Sequence, residues 1–264
     1  MKNLKMYCVT NKVVNFLDKT NYDIGWVGLD APPANYVTCN HQDNIFFKEQ
    51  FYSELTFHYW YWKNKLILND PNWIGFCQKR RFWIKKESLN KNVDSSNYLD
   101  HFLNGAPEEW NNYESIICNP INVNKVKKIK MLKRGFKSLA RDPLIFFDEK
   151  KQSLKFHFDM HHGYGNLSKA ANLLEKNDRE EFLHYINHST NYNPHIMFIA
   201  KSNIVNQWFN ALFPWLFRCE KIFGFKNLKG YDAQRLYAYL AERYLSFWFN
   251  KYTRTKEWPW IFFE

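Results

Sequence analysis

The 264-residue sequence lacks the cysteine spacing that a covalent or zinc-held scaffold needs. Cys8, Cys39, Cys77, Cys118 and Cys219 form no CxxC pair and are odd in number. A reducing cytoplasm is therefore the expected compartment. No apolar run approaches the ~18 residues of a spanning helix, and the opening MKNLKMYCVTNK carries Lys2 and Lys5 on an apolar stretch too short for a signal peptide. The chain is expected to be neither exported nor integral. GxSxG, the Walker A loop and GxGxxG are absent, so hydrolase, P-loop and dinucleotide-binding readings have no foothold. Without an internal repeat, linker or low-complexity segment, one continuous domain over residues 1–264 is the simplest account.

What the chain has in excess is positive charge and aromatic rings. Net charge is +11, which draws polyanions, phosphorylated small molecules or an acidic membrane face and says nothing of fold. Aromatic residues make up 19% of the chain, with 11 Trp, 16 Tyr and 24 Phe. They suit stacking on planar or sugar ligands. A genome poor in G and C, which enriches Lys, Asn, Phe and Tyr together, explains the same bias.

Apolar periodicity points to an α/β pattern. MYCVT (6–10), IGWVGL (24–29) and WIGFC (73–77) read as buried strands, DAPPANY as a loop, and residues 48–64 as a helix with Phe51, Leu55, Tyr59 and Trp62 at helical spacing. Residues 86–114 look polar and irregular. IFFDEKKQSLKFHF (145–158) suggests a hairpin turning at DEKKQ, followed by a helix from Ser168 towards Ile186 and a strand HIMFIA (195–200). Ser202 is a candidate cap for the next helix, which Pro214 should break or restart, and Asp232 is the candidate N-cap of a helix over 231–252. The basic stretch VNKVKKIKMLKRGFK (123–137) reads either as a solvated helix face or as a membrane-surface contact.

Four residues, Gln78, Lys79, Arg80 and Arg81, follow the WIGFC strand where an open α/β sheet gathers its ligands. Guanidinium forks match the paired oxygens of a phosphate, and two of them can neutralise a diphosphate; equally, they could pair with surface carboxylates. Alternation along a strand lets only one of the two arginines face a given side. On the 48–64 helix, Glu54, His58 and Tyr61 share a face at i, i+4 and i+7, a proton-accepting set or an ordinary surface pair. Asp159, His161 and His162 precede a glycine-rich turn; they are crowded without HExxH or DxD spacing, so a metal is not expected, and a His there suits general base chemistry near neutral pH. Glu242 and Arg243, adjacent on the last helix, either tie it to the site or pair with each other. Trp60 and Trp62 could stack on a base or sugar, or pack in the core.

Three blocks carry a resemblance. DNIFFKEQFYSELTFHYWYWKN (43–64) resembles a DNI, ELT, YWxWKN pattern; WIGFCQKRRFW (73–83) is similar to a segment running from Ile-Gly through His-Tyr-Arg-Arg to an aromatic. YNPHIMFIAK (192–201), WLF (215–217) and GYDAQRLYAYLAERYLSFW (230–248) look like NMFI, WLF and GYxAERL elements. The chain thus resembles bacterial glycosyltransferases of capsule and lipopolysaccharide gene clusters, long catalogued as a domain of unknown function, some of which transfer galactofuranose. Asp43, Glu54, Arg80, Arg81 and Glu242 keep the pattern. Gln78 and Lys79 replace His and Tyr, His195 replaces the Asn of NMFI, and Gly165 or Asn166 falls where an Asp often follows the His pair.

The resemblance implies a GT-A-like α/β domain, a central mixed sheet flanked by helices, with residues 1–85 binding a nucleotide-sugar, UDP-linked by preference, and 86–264 serving a saccharide or lipid-linked acceptor. Folds of that kind usually deliver a DxD motif and a divalent metal where this chain has Gln-Lys-Arg-Arg. The expectation is that Lys79, Arg80 and Arg81, with Asp43, Asn44 and His58, hold the donor, that Glu54 is the base with Asp159 or His161 behind it, and that no cofactor is required. Trp62, His162, His195, Glu242 and Arg243 are expected on the acceptor side or as support. Reversible contact with an anionic inner-membrane face is expected, nucleic acid is not. A basic nucleic-acid-binding protein and a non-catalytic glycosyltransferase-like subunit are the competing classes.

Overall fold

The computed structural model describes residues 3–264. Its strands are β1 (Leu4–Thr10), β2 (Asp23–Trp26), β3 (Val37–Thr38), β4 (Trp73–Gln78), β5 (Arg81–Trp83), β6 (Ser115–Cys118), β7 (Ile121–Asn122), β8 (Asn191–Tyr192), β9 (Phe198–Lys201), β10 (Thr255–Trp258) and β11 (Trp260–Phe262). Its helices are α1 (Glu49–Tyr52), α2 (Leu55–Asn64), α3 (Tyr98–His101), α4 (Lys128–Arg134), α5 (Phe136–Arg141), α6 (Leu154–His162), α7 (Asn166–Ala171), α8 (Lys176–His188), α9 (Ser202–Phe223), α10 (Tyr231–Gln234) and α11 (Leu236–Tyr252).

Internal contacts gather the chain into two units. The first runs as far as Asn119 and adds His195–Ala211 and Trp248–Glu264; the second holds Pro120–Pro194 and Leu212–Phe247. The contacts thus divide elsewhere than at residue 85, because 86–119, 195–211 and 248–264 cluster with the first residues of the chain.

The first unit is a central mixed sheet flanked by helices, as expected. Among the described residues its strand order is β10-β6-β9-β4-β1-β2-β3, with β5 and β11 attached beside the end of β4. β4, β1, β2 and β3 run parallel, β9 runs against β4 and β6, and β10 is parallel to β6. Strands buried on both faces explain the unbroken apolar runs. On one face Tyr7, Phe76 and Phe198, level with one another across β1, β4 and β9, meet rings of α2 and α9: Tyr61 lies 4.8 Å from Tyr7, His58 4.4 Å from Phe76 and Phe209 5.8 Å from Phe198. The other face carries Met6, Cys8, Ile24, Trp73 and Cys77. The stretch 86–114 covers this second face: Tyr98, Phe102, Leu103, Ala106 and Trp110 are buried in its core, so the segment is less polar in use than in composition.

The expected helix over 48–64 is interrupted at Ser53, whose φ of 53° ends α1; the Ser53 carbonyl then accepts from the Thr56 amide and hydroxyl, so α2 starts afresh. The hairpin expected over 145–158 is absent. Asp142 and Asp148 each accept the amide two residues on, nucleating single 3₁₀ turns, and Ser153 caps α6, so local side-chain acceptors override the strand-like alternation. Pro214 does not break α9; it lies on the exposed side, where water can satisfy the carbonyl it leaves without an amide partner. β9 starts at Phe198 rather than His195, whose φ is 67°. The last helix breaks at Arg235, and Asp232 sits inside α10, its carboxylate on Arg134 instead of capping.

The second unit is helical apart from the short β7–β8 pair. Met131, Ile145, Phe156 and Met160 form one cluster, and Phe182, Trp215 and Tyr244 another, with the Trp215 indole donating to the Ala170 carbonyl and the Tyr244 hydroxyl to Asp178.

Gly25 lets α2 lie close on the sheet: a Cβ there would stand 2.6 Å from the Phe57 ring, whereas at Gly75 it would meet the flexible end of Met6 at 2.8 Å. Gly25→Ala should destabilise the protein by about 1–3 kcal/mol and Gly75→Ala by clearly less, as read from urea unfolding.

Candidate active site at the carboxyl edge of the sheet

β2 lies on one side of β1 and β4 on the other, so chain connections leaving β1 and β4 diverge and the strand order reverses between them. Open α/β sheets bind ligands at such a point, beyond the strand ends. Here the ends of β1 and β4 bring Asn11 and Lys79 together: the Lys79 ammonium donates to the Asn11 side-chain carbonyl, and the Lys79 amide donates to Val9 O at 3.2 Å. Gly28, just beyond β2, packs against the Asn11 backbone carbonyl.

Lys79 and Arg80 form the two-residue turn of a hairpin in which Gln78 pairs with Arg81. Register then aligns Gly25, Val9, Gln78, Arg81 and Phe262 in one row across β2, β1, β4, β5 and β11. Aligned residues share a face. Gln78 reaches Glu54 at the start of α2 with its amide N–H, and its carbonyl oxygen accepts from Arg81 Nη1 at 3.3 Å. The Arg81 guanidinium also rests 5.7 Å from the Phe262 ring centroid. Arg80 is more exposed and pairs with Glu264 at 2.7 Å. The same edge receives the approach to β9: the His195 ring stands edge-on to Trp260 at 4.5 Å, and the Trp260 indole donates to Asn119 O at 3.4 Å. Sequence reasoning missed Asn11, Trp260, Phe262 and Glu264. Asn11 was readable as the first residue past MYCVT; the C-terminal strands were not, since their pairing is long-range.

The proposed convergence of Glu54, His58 and Tyr61 does not form. His58 is 1% exposed amid Phe76, Phe198 and Phe209, and burial pushes its pKa down to about 3. It is a neutral core residue, out of reach of a donor. Tyr61 packs on Tyr7, and burial carries its phenol well above the usual value. Asp43 accepts from the Tyr59 hydroxyl and its carbonyl from Asn64, while Asn44 accepts from the Phe46 amide. Tyr59 and Asn64 lie five and ten residues along α2 from Glu54, so the DNI and YWYWKN blocks fasten each other rather than meeting Arg81. Trp62 donates to Asn206 and Trp60 is 1% exposed.

Within the second unit, the Asp159 carboxylate accepts from the Gly165 amide at 2.9 Å and from Ser138, which ties the glycine turn to α6; burial raises its pKa against those donors and Lys155. Arg134 donates towards His161 Nδ1 at 3.0 Å, and burial with the charges of Lys130 and Arg134 lowers that imidazole to about 4. His162 donates through Nδ1 to Asp232 O at 2.8 Å and stacks on Tyr239 at 3.8 Å; burial, then Arg243, hold it at about 3. Arg243 is 1% exposed, pairs with Glu242 at 2.5 Å, faces His157 at 3.3 Å and lies 3.8 Å over the Tyr192 ring. Of the two readings of Glu242 and Arg243, the internal pair is the one observed.

The switch point between the parallel strands β1 and β4 is thus lined by lysine, arginine and amide groups of an open α/β sheet. The chain belongs to the family described as "Domain of unknown function (DUF4422)", which matches residues 5–254. It is also similar in fold to a solved structure titled as the apo form of WbbM, a bifunctional glycosyltransferase, with a TM-score of 0.72 and 19% identity. That likeness covers 99% of this chain and 45% of the other, so this chain spans under half of WbbM's length. No curated protein matches. The expected GT-A-like α/β fold is thereby supported.

Two outcomes follow from the buried charges. His58, His157 and His162 have folded pKa values pushed down to about 3, 2 and 3. The unfolded chain alone binds protons below about 6.5, so their contribution is complete above that pH and is lost as pH falls towards 3, at up to roughly 1.4 kcal/mol per pH unit for each. Urea midpoints measured from pH 7 to pH 4 should fall steadily, and His58→Phe should flatten the slope. Glu242→Gln should lower stability by about 3 kcal/mol, because it strands the buried Arg243 guanidinium.

Proposed function

We propose that this protein is a glycosyltransferase that binds a nucleotide-diphosphate sugar, by preference a UDP-sugar, at the carboxyl edge of the sheet. The observation that carries the reading is the strand-order reversal between β1 and β4, with Asn11, Lys79 and Arg81 around it. Lys79 and Arg81 contact the diphosphate, and Arg80 exchanges Glu264 for it. As the sugar–oxygen bond lengthens, charge grows on the leaving oxygens, so these cations stabilise the transition state beyond the ground state. The turn beyond β4 carries Lys79 and Arg80, and the nearby carboxylates Glu54 and Glu264 are engaged by Gln78 and Arg80, which supports a metal-independent reaction.

Glu54 then takes the proton from the attacking acceptor hydroxyl, freed for it as Gln78 turns towards the donor. Asp159 and His161 are the second choices for that base, although the low His161 pKa makes that imidazole a weak one. The acceptor is a saccharide or lipid-linked saccharide of a capsule or lipopolysaccharide, galactofuranose is the sugar carried over from some family members, and the working place is the cytoplasmic face of an anionic inner membrane. His162, His195, Trp62, Glu242 and Arg243 support these elements by packing.

Thermal-shift titration with UDP and a panel of UDP-sugars, in EDTA and in manganese, should give saturable stabilisation in both. Arg81→Ala and Lys79→Ala should lower turnover on the order of a hundredfold or more, and Glu54→Gln should abolish turnover while keeping donor binding. An absolute manganese requirement would overturn the cationic mechanism. Binding without any donor hydrolysis or transfer would favour a non-catalytic subunit, and a steep salt slope on a generic oligonucleotide, with no UDP effect, a nucleic-acid-binding protein.

A further inference from the structure

Residues 125–151 of the second unit hold ten Lys or Arg against three carboxylates, a net +7 out of +11 for the whole chain. The same stretch holds 5 of the 17 large apolar side chains exposed among the described residues: Ile129 (69%), Leu132 (57%), Phe136 (70%), Leu144 (57%) and Phe147 (77%). In α4 and α5 the inward side is Met131, Gly135 and Ser138, while Ile129, Leu132 and Phe136 point outwards. An amphipathic helix normally turns its apolar stripe to the core. Here a second apolar stripe faces solvent, with lysines beside it, the composition of a surface that lies in a lipid interface.

Two adjoining cavities open at this surface and share Ser138 and Tyr164. One, of about 290 Å³, is lined by Lys133, Arg134, Lys137 and the exposed Phe136, with Asp159 in its wall; the other, of about 510 Å³, by Arg141, Lys150, Lys151, Lys155 and Ser153 beside Asp142. Asp142 is paired with Lys151 at 2.9 Å, and Arg141 donates to the Tyr164 hydroxyl at 3.2 Å. Cations exceed carboxylates in both, so both suit a phosphate.

We propose that this face docks on an anionic lipid bilayer, with Ile129, Leu132, Phe136, Leu144 and Phe147 in the headgroup–acyl boundary and lipid phosphate in the cavity of Arg141, Lys150 and Lys155. No helix among the described residues is long and apolar enough to cross a membrane, so the face lies on the bilayer. The inference deepens the membrane partner of the reading above and takes from that reading only that the acceptor is lipid-borne. It requires no donor chemistry.

The test is sedimentation of the full chain with vesicles of phosphatidylcholine alone or mixed with phosphatidylglycerol, without nucleotide, so its result is separate from UDP binding. Binding to the mixed vesicles only is expected. Phe136→Ser with Phe147→Ser, which leaves net charge unchanged, should weaken it about tenfold or more, and Arg141→Glu with Lys150→Glu should remove the preference for the anionic lipid. Circular dichroism checks that each variant folds. Equal binding by wild type and the Phe pair would reduce the effect to generic charge attraction and overturn the proposal. So would failure to bind vesicles while inorganic pyrophosphate raises the melting temperature through Lys150, which makes the cavity a site for a soluble anion. Concentration-dependent self-association that the Phe pair abolishes, without vesicle binding, would make the occupant a second copy of the chain.

Discussion

The parallel pairing of β4 with β1 is the constraint on which the candidate site depends. Six residues of each strand are in register, from Leu4 with Trp73 to Val9 with Gln78. Because side chains alternate, a slip of one residue would turn Phe76 and Gln78 away from α2 and bring Cys77 against it. The apolar match of Tyr7, Phe76 and Phe198 with the rings of α2 and α9 opposes that slip, and so fixes which side Gln78 and Arg81 face. Core packing thereby aims polar groups that contribute nothing to the core.

The aromatic excess is largely used inside. Trp60, Trp73, Trp83, Trp110, Trp208, Trp215 and Trp258 are all under 2% exposed, and rings pack edge-on, as between Trp110 and Trp258 at 5.0 Å. Such contacts suit the ring quadrupole and bury large areas. The rings left open to solvent at the strand ends are chiefly Phe262 and Trp260. The imidazoles of His58, His157 and His162 share this economy, kept neutral by burial and thus serving as flat, weakly polar packing units.

What was legible in the sequence were the features set by local pattern. Parallel-sheet runs such as MYCVT and WIGFC read correctly because burial on both faces leaves no alternation to confuse, and Gln78 to Arg81 fell at a strand end because the apolar run stops there. Errors came where a single side chain overruled the pattern: Ser53 at φ 53°, Asp142 and Asp148 nucleating turns, Pro214 tolerated on an exposed helix side. His58 was misjudged because helical spacing identifies a shared face but not whether that face meets solvent. The β5–β11 pairing, which brings Phe262 and Glu264 to the site from the far end of the chain, has no local signal at all.

The two arginines of the turn differ in a way that their adjacency hides. Arg80 and Glu264 keep about half their side-chain surface in water, where an ion pair is worth only roughly 0–1 kcal/mol and yields readily to a stronger anion. Arg81 is half-buried, held from one side by the Gln78 carbonyl and from the other by the Phe262 ring, so less rotamer entropy remains to be lost when an anion arrives. For the diphosphate we propose as ligand, which bears charge on both phosphates, the two arginines would suit different tasks: Arg81 is preorganised for charge that develops in the proposed reaction, whereas Arg80 would swing in with the ligand and release with it. The alternation that separates neighbouring side chains on a strand, relaxed at the hairpin turn, is what makes that division available to consecutive residues.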